Sequence, residues 1–186
     1  MPLTKIQSLG ITDGTIVNAD INASAAIAAS KLSGAGISEA DQWRITTNFT
    51  ADGVLTDNWE RVDTNNFGVL GTGMTQSSGI FSFPSTGYYS IHFKTYGYAT
   101  GLTFHISYIQ LTLNNSTYDT VSVAADSNKD ASVGYVGSAN FHIVKITDIA
   151  NQKIRFELND SSAGVTYESD TNASNTTAQF IKLAGL

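Results

Sequence analysis

Residues 78–93, which spell SGIFSFPSTGYYSIHF, constrain the fold more than any other stretch of this chain. Phe81 and Phe83 alternate with serine, which predicts a half-buried strand. Pro84 cannot donate to a β-ladder, so it ends that strand. Gly87 closes a turn, because glycine accepts a positive φ, and a second alternating strand follows. The residues we expect in the core are Phe81, Phe83, Tyr89, Ile91 and Phe93, with Phe180 from the end of the chain.

The chain from Trp43 onward shows the same pattern of short alternating runs separated by turn residues. Such a succession, without a helix of ordinary length, predicts an all-β sandwich. Asn114 and Asn115 mark a turn, and residues 126–130 form a polar loop by composition. We expect strands over residues 43–50, 59–62, 67–70, 80–83, 88–96, 104–113, 118–124, 139–146, 153–158 and 179–183.

Residues 79–89 resemble the signature G-x-F-x-x-P-x-x-G-x-Y of complement one-q and tumour necrosis factor-like domains. Weaker similarities to the first, late and closing strands of these domains lie at residues 48–51, 151–158 and 177–183. Lys182 departs from the apolar ending that is usual in the family. The resemblance covers residues 43–186 and implies a jelly-roll sandwich that assembles as a homotrimer.

The first 40 residues contain no aromatic side chain and join the rest through a flexible Ser-Gly-Ala-Gly stretch at residues 33–36. We therefore divide the chain into an N-terminal arm, residues 1–40, and a head, residues 41–186. An Asp-Gly turn at residues 13–14 predicts short extended pieces, and residues 20–33 predict a short helix. So small a helix must pack on a partner to be stable, and the alternative is a disordered tail.

Residues 11–34 resemble linkers of bacteriophage tail-fibre and virion proteins. The resemblance implies a virion context, with a phage capsid or tail protein as the partner of the arm. The apolar residues that we expect to anchor the chain are Ile11, Ile16, Ile21, Ala25, Ala28 and Leu32.

Charge and hydropathy argue against two further classes of partner, nucleic acids and membranes. The net charge is −6 and the 10 basic residues are scattered, so we expect no nucleic-acid partner. No apolar run approaches the roughly 18 residues of a transmembrane helix, so we expect no membrane insertion. The N-terminus lacks the apolar centre of a signal peptide, which predicts assembly in the host cytoplasm and a final location in the virion. The chain has no cysteine and therefore no disulfide framework.

Catalytic chemistry is not predicted. The G-x-S-x-G motif is absent, and His92, His105 and His142 each lie in an alternating apolar run, where we expect strand histidines satisfied by their neighbours. The alternative is a histidine that meets its copies on a threefold axis and binds metal. Three carboxylate pairs, which we expect to be solvated groups at strand ends, are Asp57 with Glu60, Glu157 with Asp160, and Glu168 with Asp170.

Two binding sites remain open. We expect no cofactor, and calcium in one polar loop is the alternative to a plain solvated loop. Asp126, Asn128 and Asp130 alternate in one polar loop, and the complement one-q resemblance implies that such loop oxygens can bind calcium. The pattern is incomplete, because Ala131 replaces the glycine of a calcium loop. Three loops at one end of the sandwich, residues 98–102, 126–131 and 161–175, could also bind host glycan, or be plain solvated loops. The candidate glycan residues are Tyr98, Asp126, Asn128, Tyr167 and Asp170.

Together these features predict a non-enzymatic, trimeric structural protein of a bacteriophage virion. It would be a capsid decoration or cement protein, or a short head fibre, anchored through residues 1–40. The first alternative is a tail-fibre receptor-binding head for host surface glycans, active in host attachment. The second is a secreted, lectin-like recognition module.

Overall fold

The computed structural model describes residues 36–101, 103–129, 132–160 and 164–186. These residues contain twelve strands and no helix. No helix long and apolar enough to cross a membrane is therefore present among them. The strands are β1 (Ala40–Ile45), β2 (Gly53–Val54), β3 (Trp59–Arg61), β4 (Thr75–Ser77), β5 (Ile80–Ser82), β6 (Gly87–Thr100), β7 (Thr103–Thr112), β8 (Tyr118–Asn128), β9 (Val133–Ile146), β10 (Lys153–Asp160), β11 (Val165–Tyr167) and β12 (Thr177–Ala184).

The strands form two antiparallel sheets that pack face to face. Sheet A has the order β9, β6, β12, β1 and β3, and β11 pairs with β6 beyond the end of β12. Sheet B has the order β8, β7, β10, β5 and β4, and β2 pairs with β10 beyond the end of β5. The prediction of an all-β sandwich is confirmed.

The signature segment crosses between the two sheets. β5 lies in sheet B and β6 in sheet A, so the two strands do not pair, and the turn around Pro84 carries the chain from one layer to the other. Gly87 has a φ of 150°, as its place after the turn predicted. A Cβ atom there would lie 2.5 Å from the carbonyl oxygen of Ala184, so only glycine fits beside β12.

Aromatic rings from both sheets fill the core. Phe81 lies 5.2 Å from Trp59 and 5.2 Å from Phe180, measured between ring centroids, and Phe93 stacks on Phe156 at 4.5 Å. All six residues predicted for the core are buried, with at most 3% of their surface exposed. The alternation in the signature segment therefore assigned the inward faces of β5 and β6 correctly.

Some predicted elements differ from the structure. Residues 67–70 form no strand beyond a single bridge between Leu70 and Ala40, because Asn65 and Asn66 just before them adopt positive φ angles that break extended backbone. The predicted polar loop 126–130 is strand as far as Asn128, which pairs with Thr103 of β7. The short strands β2, β4 and β11 were not predicted.

The first described residues belong to the sandwich. The carboxylate of Glu39 accepts hydrogen bonds from the backbone N–H groups of Thr72 and Gly73, at 2.8 and 2.9 Å. Ala40 already pairs with Ile181, one residue before the predicted start of the head. Residues 1–35 lie outside the described residues, and with them the predicted anchor: Ile11, Ile16, Ile21, Ala25, Ala28 and Leu32.

Candidate functional site

The outward side of β9 is a continuous apolar stripe on sheet A. Side chains alternate along a strand, and every outward position from Val133 to Ile143 is apolar. At the rise of a β-strand these residues span roughly 33 Å. We use the name apolar face for this stripe together with two tyrosines of β6; its large members are Tyr88, Tyr96, Val133, Tyr135, Phe141 and Ile143.

The apolar face is well ordered by contacts between neighbouring strands. Tyr96 stacks on Tyr135 with ring centroids 5.7 Å apart and an angle of 11° between the planes. The ring of His92 lies 6.1 Å from that of Phe141, and its Nε2 is 2.9 Å from the Ser90 hydroxyl oxygen. Burial and the neighbouring phenol of Tyr135 both raise the pKa of Tyr96, so it stays uncharged at neutral pH.

The inward side of β9 is more polar than its outward side. The Asn140 amide donates to the backbone oxygen and the hydroxyl of Ser107, at 2.7 and 2.8 Å. The Ser138 hydroxyl lies 2.6 Å from that of Ser107 and 2.9 Å from that of Thr95. This network satisfies polar groups between the sheets and so makes polar residues tolerable there.

The prediction that Tyr167 binds glycan is wrong. This residue belongs to β11 rather than to a loop, and only 1% of it is exposed, so its ring cannot stack on a sugar. Burial, and the charges of Asp160 and Asp52, raise the pKa of its phenol strongly. Tyr98 lies in β6 and is half-buried between its partners Tyr135 and Thr166. No observation tests Tyr98 as a ligand.

Asp126 and Asn128 hold strands together. The Asp126 carboxylate accepts hydrogen bonds from the backbone N–H groups of Ser127, at 2.8 Å, and Gly137, at 3.0 Å. The Asn128 amide donates to the carbonyl oxygens of Gly101 and Ser132, both at 3.0 Å. These structural roles do not favour calcium or glycan binding at the two residues.

The described ranges contain no group of three or more acidic, histidine or cysteine residues arranged for a metal. Asp130 lies outside these ranges. The expectation of no cofactor, with calcium as the alternative, therefore stays a prediction.

Asp170 caps a turn before β12. Its carboxylate accepts from the backbone N–H groups of Asn172 and Ala173, at 2.6 and 3.0 Å. These two hydrogen bonds hold the pKa of the Asp170 carboxyl below its usual range. The residue is therefore charged at neutral pH and shapes a loop on the outer side of sheet A.

His105 does not fit the expectation of a satisfied strand histidine. Its ring is fully buried, 5.5 Å from the ring of Tyr167, and neither ring nitrogen has a hydrogen-bond partner in the described part of the chain. Burial lowers the pKa of the His105 imidazole despite the nearby charges of Asp126 and Asp160. His105 is thus held neutral inside the sandwich.

The carboxylate pairs have separate structural partners. Glu60 forms an ion pair with Arg44 at 2.9 Å, and Glu157 accepts from the Gln110 amide at 2.7 Å. Asp160 accepts from the Val165 backbone N–H at 3.2 Å. None of these contacts resembles the shared proton or facing geometry of a catalytic pair.

No family model matches the sequence, and no curated protein matches it. Many solved structures do match the fold, among them murine APRIL at pH 5.0. That structure superposes with a TM-score of 0.54 at 13% sequence identity, over 78% of this chain and 98% of the APRIL chain.

The fold is an all-β jelly-roll sandwich, like that of the APRIL structure.

The predicted jelly-roll sandwich is therefore confirmed, whereas the homotrimer and the extended or short-helix arm stay predictions. At 13% identity the likeness concerns the fold alone. The apolar face was not predicted from the sequence. The apolar residues at alternate positions from 133 to 143 were the pattern that could have indicated it.

Proposed function

We propose that the chain is a homotrimeric, non-enzymatic structural protein of a bacteriophage virion, a capsid decoration or cement protein or a short head fibre. Its jelly roll assembles through the apolar face, and residues 1–40 attach it to the capsid or tail. It is made in the host cytoplasm and ends in the virion.

The extent of the apolar face carries the assembly part of this proposal. Its six large residues are 37–72% exposed in the single chain. With about 200 Å² for each fully exposed side chain, they present roughly 700 Å². Monomers rarely expose contiguous apolar patches beyond a few hundred Å², whereas a stable interface buries about 800 Å² on each partner.

The number of copies rests on the fold. The resemblance of residues 79–89 to the signature of complement one-q and tumour necrosis factor-like domains implies a trimer, and the chain shares its jelly-roll fold with the APRIL structure. β9 is also an edge strand of 14 residues that pairs only with β6 among the described strands. β8 already covers part of this edge, because the Ser122 hydroxyl donates to the Phe141 carbonyl oxygen at 3.3 Å and the Gly137 N–H donates to Asp126 at 3.0 Å. A further copy would therefore pack on the outward face of β9 rather than pair with its edge.

The virion part rests on the resemblance of residues 11–34 to phage fibre linkers. Microscopy of the parent particle should locate the chain at threefold positions. Deleting residues 1–36 should leave the jelly roll folded, since the first sheet contacts begin at Glu39, and should abolish attachment. Particles that still carry the shortened chain would exclude the arm as the anchor.

The trimer is tested by native mass and sedimentation. Phe141→Lys places a charge in the apolar face and should give monomers. Val123→Lys is the matched control, because Val123 is 57% exposed but lies on sheet B. A wild-type chain that stays monomeric at micromolar concentration, or a Val123→Lys chain that dissociates while Phe141→Lys does not, contradicts the proposal.

A further inference from the structure

A polar cleft lies on sheet A at the margin opposite β9. Its floor comes from β1, one wall from the loop after β3, and the other wall from the loop before β12. Its volume is about 340 Å³, within the range of small-molecule sites. Its lining includes the side chains of Gln42, Asn65, Asn66, Phe67, Asn172 and Ser174.

Carboxamides dominate this lining. Each carboxamide offers two N–H donors and a carbonyl acceptor, so it can satisfy a hydroxyl group in either direction. Phe67 adds an aromatic ring, which suits the apolar C–H face of a sugar. The Asn66 carboxamide makes no hydrogen bond within the described ranges, although it is exposed at the cleft. It is therefore available to a ligand.

The cleft is built before any ligand arrives. The Asn65 amide donates to the backbone oxygen of Asn172 at 2.5 Å and so ties the two walls together. The Gln42 amide donates to the Ser174 hydroxyl at 2.6 Å, which fixes one wall to the floor. Preformed polar groups reduce the entropy cost of binding.

Charge determines which ligand suits the cleft. Arg44 lies beneath it with 1% of its side chain exposed, and its guanidinium is paired with Glu60 and Asp63, both at 2.9 Å. The Lys94 ammonium also lies at the wall, where it donates to the Ser174 backbone oxygen at 2.6 Å. The carboxylates of Glu60, Asp63 and the charged Asp170 still outnumber these two cations. An anionic ligand would meet net negative charge.

We propose that this cleft binds a neutral sugar residue of a surface polysaccharide. The Asn66 carboxamide and the Ser174 hydroxyl contact its hydroxyl groups, and Phe67 contacts its C–H face; the Gln42 and Asn65 amides hold the floor and walls in place. One wall, with Asn172 and Ser174, belongs to loop 161–175, which was expected to bind glycan, whereas the floor and the other wall were not expected. Asp170 only shapes the wall. The proposal is independent of trimer formation, because one chain supplies the whole lining.

The test uses the purified full-length chain on an array of immobilised oligosaccharides. The neutral set ends in glucose, galactose, mannose or N-acetylglucosamine, and the anionic set ends in uronic or sialic acid. Affinities for the neutral sugars bound are then measured by calorimetry, with the free methyl glycoside as competitor. We expect binding to at least one neutral sugar and none to the anionic set.

Two glycine variants separate the cleft from the fold. Asn66→Gly removes a lining carboxamide and keeps the left-handed backbone, whose φ is 66°. Asn58→Gly is the matched control, with a φ of 62° at a position outside the cleft. Loss of one or two hydrogen bonds should weaken binding about fivefold to tenfold in Asn66→Gly and leave Asn58→Gly unchanged.

Three results would overturn the proposal: no neutral sugar bound, binding confined to the anionic set, or equal affinity in the two glycine variants. A native mass measured on the same samples reports the trimer separately. Failure of the cleft and failure of the trimer are thereby distinguished.

Discussion

Replacing Phe81 by alanine removes the ring on which the two sheets meet. Phe81 is fully buried and contacts rings from both layers. Its centroid lies 5.2–5.5 Å from four of them: Trp43, Trp59, Phe156 and Phe180. None of these rings can move into the space without losing its own contacts, so the variant keeps a cavity.

Phe→Ala in a core that cannot collapse costs about 3–5 kcal/mol of unfolding free energy. Because four aromatic neighbours hold the cavity open, we expect the upper part of that range. For a domain of this size 1 kcal/mol shifts the melting temperature by about 2–4 °C, so a cost of about 4–5 kcal/mol in Phe81→Ala should lower it by roughly 8–20 °C.

The assay is thermal unfolding followed by circular dichroism, with all samples at one concentration because assembly makes the melting temperature concentration-dependent. Leu113→Ala is the control, since Leu113 is 62% exposed and its truncation should change the free energy by no more than about 0.5 kcal/mol. Equal shifts in the two variants would refute the idea that the aromatic cluster joins the sheets.

Two other perturbations follow from buried polar groups. Because burial lowers the pKa of His105, the unfolded chain takes up the proton first as the pH falls. The free energy of unfolding should therefore fall below about pH 6.5. In urea unfolding between pH 5 and 7, His105→Leu should make this free energy less dependent on pH. The control His92→Gln should keep the pH dependence of the wild type. Asp41 is 3% exposed, accepts from the Trp43 indole at 2.9 Å and the Met74 backbone N–H at 2.7 Å, and pairs with Arg61. Asp41→Ala should cost about 3 kcal/mol in chemical unfolding, and a cost as small as that of exposed Asp57→Ala would show that the contacts do not matter.

Local patterns made the signature segment predictable. Proline and glycine marked the ends of the strands in residues 78–93, and the alternation of apolar and polar residues predicted which side is buried. Strand partners were not predictable in the same way, because pairing depends on distant residues. Asp126 and Asn128 look like loop residues by composition, yet they pair with His105 and Thr103 of β7. That pairing outweighs their low strand propensity.

The cleft was equally hidden in the sequence. Its two walls are more than 100 residues apart, as the hydrogen bond from Asn65 to Asn172 shows. Asparagine and serine are frequent throughout the chain, so their local density carries no signal. Loop 161–175 was predicted and supplies one wall, but Asp170, the residue named within it, acts on the loop rather than on a ligand.

The outward side of β9 was not predicted because the strand carries apolar residues on both of its faces. Both faces of the strand carry apolar residues: Val136, Val144 and Ile146 point inward, while Tyr135, Phe141 and Ile143 point outward. Alternation assigns a buried side only when the other side is polar, so the sequence of β9 leaves the choice open. Apolar residues on both faces are typical of strands that are buried on both faces. In the single chain only the inward face is covered, and a neighbouring copy packed on the outward face would complete the environment for which these residues are suited.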